Sequence, residues 1–129
     1  MERADTSLEF ELQAANRLET AGRLGEAAAL YEQLQQRFPD AAEVYRRYGR
    51  LKIQDGDSAG ALTLLDKARS LAPETPEISI DLAEALMAAG ERQGAETEVE
   101  RAIDLAPENG DYRVKRALLY LERGERDAA

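Results

Sequence analysis

Apolar residues recur along this chain at three- and four-residue steps, in short runs broken by glycine or proline, a pattern that predicts helices throughout. The clearest run is Ala42 to Pro73. Its first half places Val44, Tyr48, Leu51 and Lys52 on one side around the small Gly49. Its second half places Ala61, Leu64, Leu65, Ala68 and Leu71 in one stripe, and Asp55-Gly56-Asp57 turns the chain between the halves. A pair of short helices cannot bury both stripes alone, so the unit implies stacking on neighbouring pairs.

The rest of the chain follows the same plan. Residues 1–7 read as an N-terminal arm, and Thr6 with Glu9 has capping-box spacing, so a first helix is expected to start near Ser7 and carry Phe10, Leu12, Ala14, Ala15 and Leu18. Gly22-Arg23-Leu24-Gly25 breaks it. A second helix from about Glu26 holds Ala27, Leu30, Tyr31 and Leu34 and stops at Phe38-Pro39, because the residue before a proline avoids the helical region. Asp40 with Glu43 forms a second capping box. Thr75-Pro76 opens a third unit, with Ile78, Leu82, Ala83, Ala85 and Leu86, a turn at Gly90, and then Ala95, Val99, Ala102, Ile103 and Leu105 up to Pro107. Asn109 is placed to cap a last helix holding Tyr112, Val114 and Ala117 to Leu121, and Gly124 is expected to begin a turn.

The punctuation has a fixed period. Pro39, Pro73 and Pro107 stand 34 residues apart, and so do Gly22, Gly56, Gly90 and Gly124. The small residues Ala15, Gly49, Ala83 and Ala117 keep the interval, as do Ala27, Ala61, Ala95 and Ala129. Each column has a physical reason. Small residues let two helices approach, glycine supplies the conformation after a helix end, and proline blocks continuation.

With these columns the sequence resembles the tetratricopeptide repeat (TPR) family, whose unit is a helix-turn-helix of about 34 residues. The resemblance covers residues 8–129, as repeats 8–41, 42–75 and 76–109 and a partial fourth at 110–129. The large-residue columns are looser. Tyr45 fits the family's aromatic near the start of the first helix, but Glu11, Ser79 and Arg113 share that column, and Lys52 stands where a large apolar residue is expected. The resemblance implies an all-α, right-handed α-solenoid, a superhelix whose concave groove is lined by the first helix of each pair and binds peptides or faces of other proteins. The fourth unit is cut near the start of its second helix, which predicts an excised fragment or the N-terminal piece of a longer protein. The alternative is that Arg113 and Arg116 make the last helix polar enough to cap the stack.

Composition changes this picture mainly by exclusion. Apolar residues make up 43% and charged residues 33%, with no Trp and 5% aromatics, which suits a folded core of Ala and Leu. No apolar run approaches a membrane span, and MERADTSLEF is charged where a signal peptide would be apolar, so localisation defaults to the cytoplasm. Without Cys there are no disulfides. A net charge of −9 opposes nucleic acid and anionic lipid as partners.

Catalysis finds no support, because the absence of His and Cys removes the commonest general base, two nucleophilic arrangements and the usual zinc ligands. Asp55-Gly56-Asp57 with Gly60 and Asp66 faintly echoes a calcium loop, yet Ala59 holds a ligand position and the terminal Glu is missing. No cofactor, metal or catalytic residue is assigned.

The resemblance places Glu9, Leu12, Gln13, Asn16 and Glu19 on the inner face of the first unit, and Glu43, Arg46, Arg47, Arg50 and Ile53 on that of the second. The third contributes Glu77, Ile80, Asp81, Glu84 and Met87, and the fourth Asp111, Val114, Lys115, Leu118 and Leu121. Some family members clamp a C-terminal carboxylate here with Lys, Asn and Arg; only Asn16 matches, while Leu12, Arg47, Glu77 and Asp81 depart, so that clamp is rejected. Glu9, Glu43, Glu77 and Asp111 form one acidic column, read either as helix N-terminal charges or as a ligand-facing row. Arg46, Arg47 and Arg50 suit an acidic peptide, or else pair with Asp81 and Glu84. Ile80, Met87, Val114, Leu118 and Leu121 make an apolar floor, open to a partner, a following repeat or a second copy.

Three functions follow for test. The first is a non-catalytic adaptor that holds an acidic or mixed-charge partner segment, with the groove residues Gln13, Asn16, Arg46, Arg47, Arg50, Ile80, Asp81, Glu84, Met87, Val114, Lys115, Leu118 and Leu121 as candidate contacts. The second is a docking or regulatory domain of a larger enzyme, such as a glycosyltransferase. The third is a scaffold that self-associates through its open C-terminal end.

Overall fold

The computed structural model describes the backbone of residues 2–128 and the side chains of residues 7–124. Among the described residues there are seven α-helices and no strand: α1 (Glu2–Thr20), α2 (Leu24–Arg37), α3 (Ala42–Gln54), α4 (Ser58–Leu71), α5 (Pro76–Ala88), α6 (Arg92–Leu105) and α7 (Gly110–Ala128). They pack chiefly in chain order, α1 on α2, α3 on α4 and α5 on α6 as hairpins, with α3 also touching α5 along the inner side. This is the all-α solenoid that the stripes imply.

Three of the four glycines in the turn column adopt the left-handed conformation, Gly22 at φ 80°, Gly56 at 82° and Gly90 at 81°. At each, the next residue's amide reaches back to a carbonyl five residues earlier: Arg23 to Leu18, Asp57 to Lys52 and Glu91 to Leu86, at 2.8–2.9 Å. That bond closes the helix end, and only glycine takes the angle without strain. The fourth, Gly124, stays helical inside α7, contrary to the expected turn. Glycine permits the left-handed angle without imposing it, and within residues 125–128 no second helix packs back on α7.

The buried residues fall into three clusters, none confined to one hairpin. Leu12, Ala15, Tyr31 and Leu34 of the first pair close over Val44, Tyr48 and Leu51 of α3. Tyr45, Leu65 and Ala68 close over Ile78 and Leu82 of α5. Ala83, Val99 and Ala102 close over Tyr112 of α7. The first helix of each repeat therefore completes the core of the repeat before it, the stacking demanded by hairpins too small to bury their own stripes.

Several helix starts differ from expectation. α1 begins at Glu2, so the segment expected as an arm is its first turns and Thr6 lies inside the helix. Glu9 is consequently too deep in α1 to act on its N-terminus, whereas Glu43, Glu77 and Asp111 do sit in first turns. The N-cap of α3 is Ala41, one residue past the expected Asp40, and its methyl group can accept no bond; Glu43 is engaged by Arg46 and Arg47 instead. Asn109 caps as expected, its Oδ1 accepting from the Asp111 amide at 3.0 Å. Asp57 caps α4 by accepting from the Gly60 amide at 2.9 Å, which gives this aspartate a structural task in the turn.

The loose columns also resolve. The Tyr45 hydroxyl donates to the Pro39 carbonyl at 2.8 Å, and Arg113, in the same column, donates to the Pro107 carbonyl. Two unlike side chains thus tie down the equivalent prolines of two repeats. Lys52 sets its ammonium 5.4 Å from the Tyr48 ring centre and 3.6 Å from Asp57, so its stem covers what a larger apolar residue would cover. Ala129, last of the alanine column, lies outside the described residues.

Candidate binding groove

The second helices α2, α4 and α6 give their apolar stripes to the cores, which leaves α1, α3, α5 and α7 to present polar positions on the other side. Two cavities open there. One, of about 400 Å³, is lined by Asn16, Glu19 and Thr20 of α1, Tyr31 of α2, Arg46, Arg47, Arg50, Ile53 and Gln54 of α3, and Glu84 of α5. The other, of about 540 Å³, is lined by Ile80, Ala83, Glu84 and Met87 of α5, Val99 of α6, and Lys115, Leu118, Leu119 and Glu122 of α7. Glu84 borders both, so the two chambers adjoin at α5 on the inner side.

The three arginines are held to different degrees. Arg46 donates its Nε to Asp81 at 2.8 Å and its Nη1 to Glu43 at 3.0 Å, and it is largely covered. Arg47 donates its Nε to the same Glu43 oxygen at 2.8 Å. Arg50 stands only within 3.8 Å of Asp81, with its side chain 57% exposed. Of the two readings of this band, internal pairing therefore accounts for Arg46 through two nitrogens, for Arg47 through one, and for Arg50 weakly.

Asp81 is not a surface contact of the groove. It is 4% exposed beneath the arginines and lines neither chamber. Burial pushes its carboxyl up to about 6, against the pull of the Arg46 and Arg50 guanidinium groups and with a small addition from Glu84. Ile80 is buried too, yet it still floors the apolar chamber. Asn16, Glu84, Met87, Lys115 and Leu118 line the chambers as placed from the sequence, and the Lys115 ammonium lies 3.3 Å from Glu84 between them. Gln13, Val114 and Leu121 are exposed on α1 and α7 but line neither chamber.

In the polar chamber, Tyr31 is a lining residue that the sequence places in the core stripe. The residue is fully buried, its ring stacks on Tyr48 at 5.6 Å between centroids, and its hydroxyl donates to Glu19 at 2.5 Å in the wall of the polar chamber. Burial, and then that hydrogen bond, hold the hydroxyl well above its ordinary range. A tyrosine among alanines and leucines was the available signal, since its hydroxyl must reach a polar edge.

Among the described residues no group of acidic side chains is arranged to hold a metal ion, and no helix is long and apolar enough to cross a membrane.

A family model described as tetratricopeptide repeat matches residues 18–74 and 52–119. No curated protein matches the sequence. Among solved structures, a mutant O-GlcNAc transferase from Thermobaculum terrenum superposes with a TM-score of 0.81 at 22% identity over 91% of this chain, which spans 22% of the length of that transferase. MamA superposes with a TM-score of 0.75 at 26% identity, over 88% of this chain and 66% of its own. The first TPR of Spaghetti (RPAP3), bound to an HSP90 peptide, gives 0.82 at 15% identity, over 91% of this chain and 93% of its own.

Proposed function

Because the chain belongs to the tetratricopeptide repeat family, we propose that it is a non-catalytic scaffold which holds a segment of a partner protein in the groove of its inner helices. The observation that carries this reading is that two chambers adjoin at Glu84 on the inner side, their linings together drawn from α1, α3, α5 and α7. A fold of this kind mediates association between proteins, and the RPAP3 relative is bound to a peptide. The partner is acidic or mixed in charge at the arginine band, where Arg47 and Arg50 retain hydrogen-bonding capacity.

The test is capture of partners on the immobilised chain, followed by binding of each purified partner to groove variants. Arg47→Glu with Arg50→Glu, or Leu118→Asp, should abolish binding, while Asp66→Arg on α4, which lines neither chamber, should leave it unchanged. Partners lost with Asp66→Arg and kept by the groove variants would remove the groove from the account.

A second reading is favoured by the likeness to the transferase, of which this chain spans 22%. Here the repeats dock a protein for a larger enzyme to act upon. Sequencing the parent gene on both sides of this stretch decides between them. Self-association is the third outcome, and sedimentation over a concentration range tests it: a mass that stays monomeric removes it.

A further inference from the structure

We infer that the segment held in the groove is an extended peptide with two unlike contacts: an acidic side chain on Arg47 and Arg50, and about four residues away an apolar side chain on Ile80, Met87 and Leu118. The inference rests on the groove reading above and adds the ligand's chemistry and spacing.

The acidic contact follows from what the guanidinium groups lack. A guanidinium carries five N–H donors in a fork that matches a carboxylate. Arg46 has given its Nε and Nη1 to Asp81 and Glu43. Arg47 has given its Nε alone, and Arg50 makes only the 3.8 Å approach to Asp81. Among the described residues the outer nitrogens of these two have no hydrogen-bonded partner, and both border the same chamber. Glu84 on the opposite wall repels a carboxylate and confines it to the α3 side.

The apolar contact follows from one repeat position. Asn16, Arg50 and Glu84 occupy it in the first three units, so the fold needs nothing apolar there, yet the fourth unit has Leu118. Leu118 is 59% exposed beside Met87 over the buried Ile80, in the chamber of about 540 Å³. Water on that leucine is unfavourable, and a ligand side chain would displace it.

Spacing comes from helix packing. Packed helices lie about 8–10 Å apart, and α3 touches α5, so the path from α3 across α5 to the chamber on its far side is about 12–15 Å. An extended chain covers that in about four residues. A helical ligand, rising about 1.5 Å per residue, would separate the same contacts by about eight to ten.

The experiment is selection of random displayed peptides on the full chain, then titration of synthetic versions by fluorescence anisotropy. Enriched peptides should share an acidic and a large apolar residue about four apart, and Arg50→Glu and Leu118→Asp should each weaken them by about tenfold or more. Asp66→Arg should have no effect. Replacing the peptide's acidic residue by its amide should remove the sensitivity to Arg50→Glu while keeping that to Leu118→Asp. Both side chains are exposed, and circular dichroism checks that the variants fold, with Arg50→Gln and Leu118→Ser as milder substitutes. Peptides that need the groove but lack the pair, or show helical spacing, overturn this ligand and leave the groove reading standing. Peptides indifferent to both variants, or no enrichment at all, overturn both.

Discussion

Arg46 of α3 crosses to α5 and donates its Nε to Asp81 at 2.8 Å, covering a carboxylate that is only 4% exposed. Burial outweighs the arginine's pull and raises the carboxyl from 3.8 to about 6. The folded state therefore binds this proton more tightly than the unfolded chain. Stability from Asp81 is fully present below 3.8 and is lost as pH rises through about 6. Relative to Asp81→Asn, the wild type should gain up to about 3 kcal/mol on going from neutral pH to about pH 4. Urea midpoints of the two proteins across that range check it, and parallel curves would show that Asp81 titrates in the fold as it does in the free chain.

Gly49 is the one glycine in the small-residue column. A Cβ there would stand 2.8 Å from Cγ of the fully buried Leu65. Alanine gains about 1 kcal/mol in helix propensity, but overpacking a core costs about 1–3 kcal/mol, so Gly49→Ala should destabilise by about 1 kcal/mol. The third repeat pairs Ala83 with Val99 at the equivalent positions. Gly49→Ala with Leu65→Val should therefore be more stable than the sum of the two single changes, as a double-mutant cycle in urea would read.

Tyr31 combines a buried ring with a bonded hydroxyl. Tyr31→Phe removes only the bond to Glu19 and should cost about 1 kcal/mol, whereas Tyr31→Ala also empties the space beneath Tyr48 and should cost about 3–5 kcal/mol. Thermal and urea denaturation of both variants measure the difference; equal losses would mean that the hydroxyl, not the ring, matters.

Arg69 of α4 and Glu98 of α6 form an ion pair that ties consecutive second helices, with the Glu98 side chain 12% exposed. Removing one partner strands the other, so Arg69→Ala and Glu98→Ala should each cost about 2–4 kcal/mol. Arg69→Leu with Glu98→Leu should lie closer to wild type than either. A double variant as unstable as the summed single changes would show that the two act separately.

Much of the fold was legible because repetition multiplies weak signals. One glycine in a helical pattern says little, but Gly22, Gly56 and Gly90 in register with three prolines define the hairpins. What escaped notice depended on neighbours in space. Asp81 reads as a polar inner-face position until Arg46 and Arg50 of α3, the preceding inner helix, close over it. Glu43 reads as half of a capping box until two arginines one turn on compete for it. Gly124 belongs to the turn column by position, yet its backbone follows its surroundings. In the groove, residue types were readable, but which arginine keeps free donors was not, since that depends on side-chain geometry.

Each of the three cores borrows its closing wall from the first helix of the next repeat. Loosening α3 and α4 would thus bare the faces of both flanking pairs, and amide exchange in the two halves should quicken together. A partner lying across α3, α5 and α7 would clasp the same joints from the hollow side, so occupancy would slow that exchange well beyond the residues it touches.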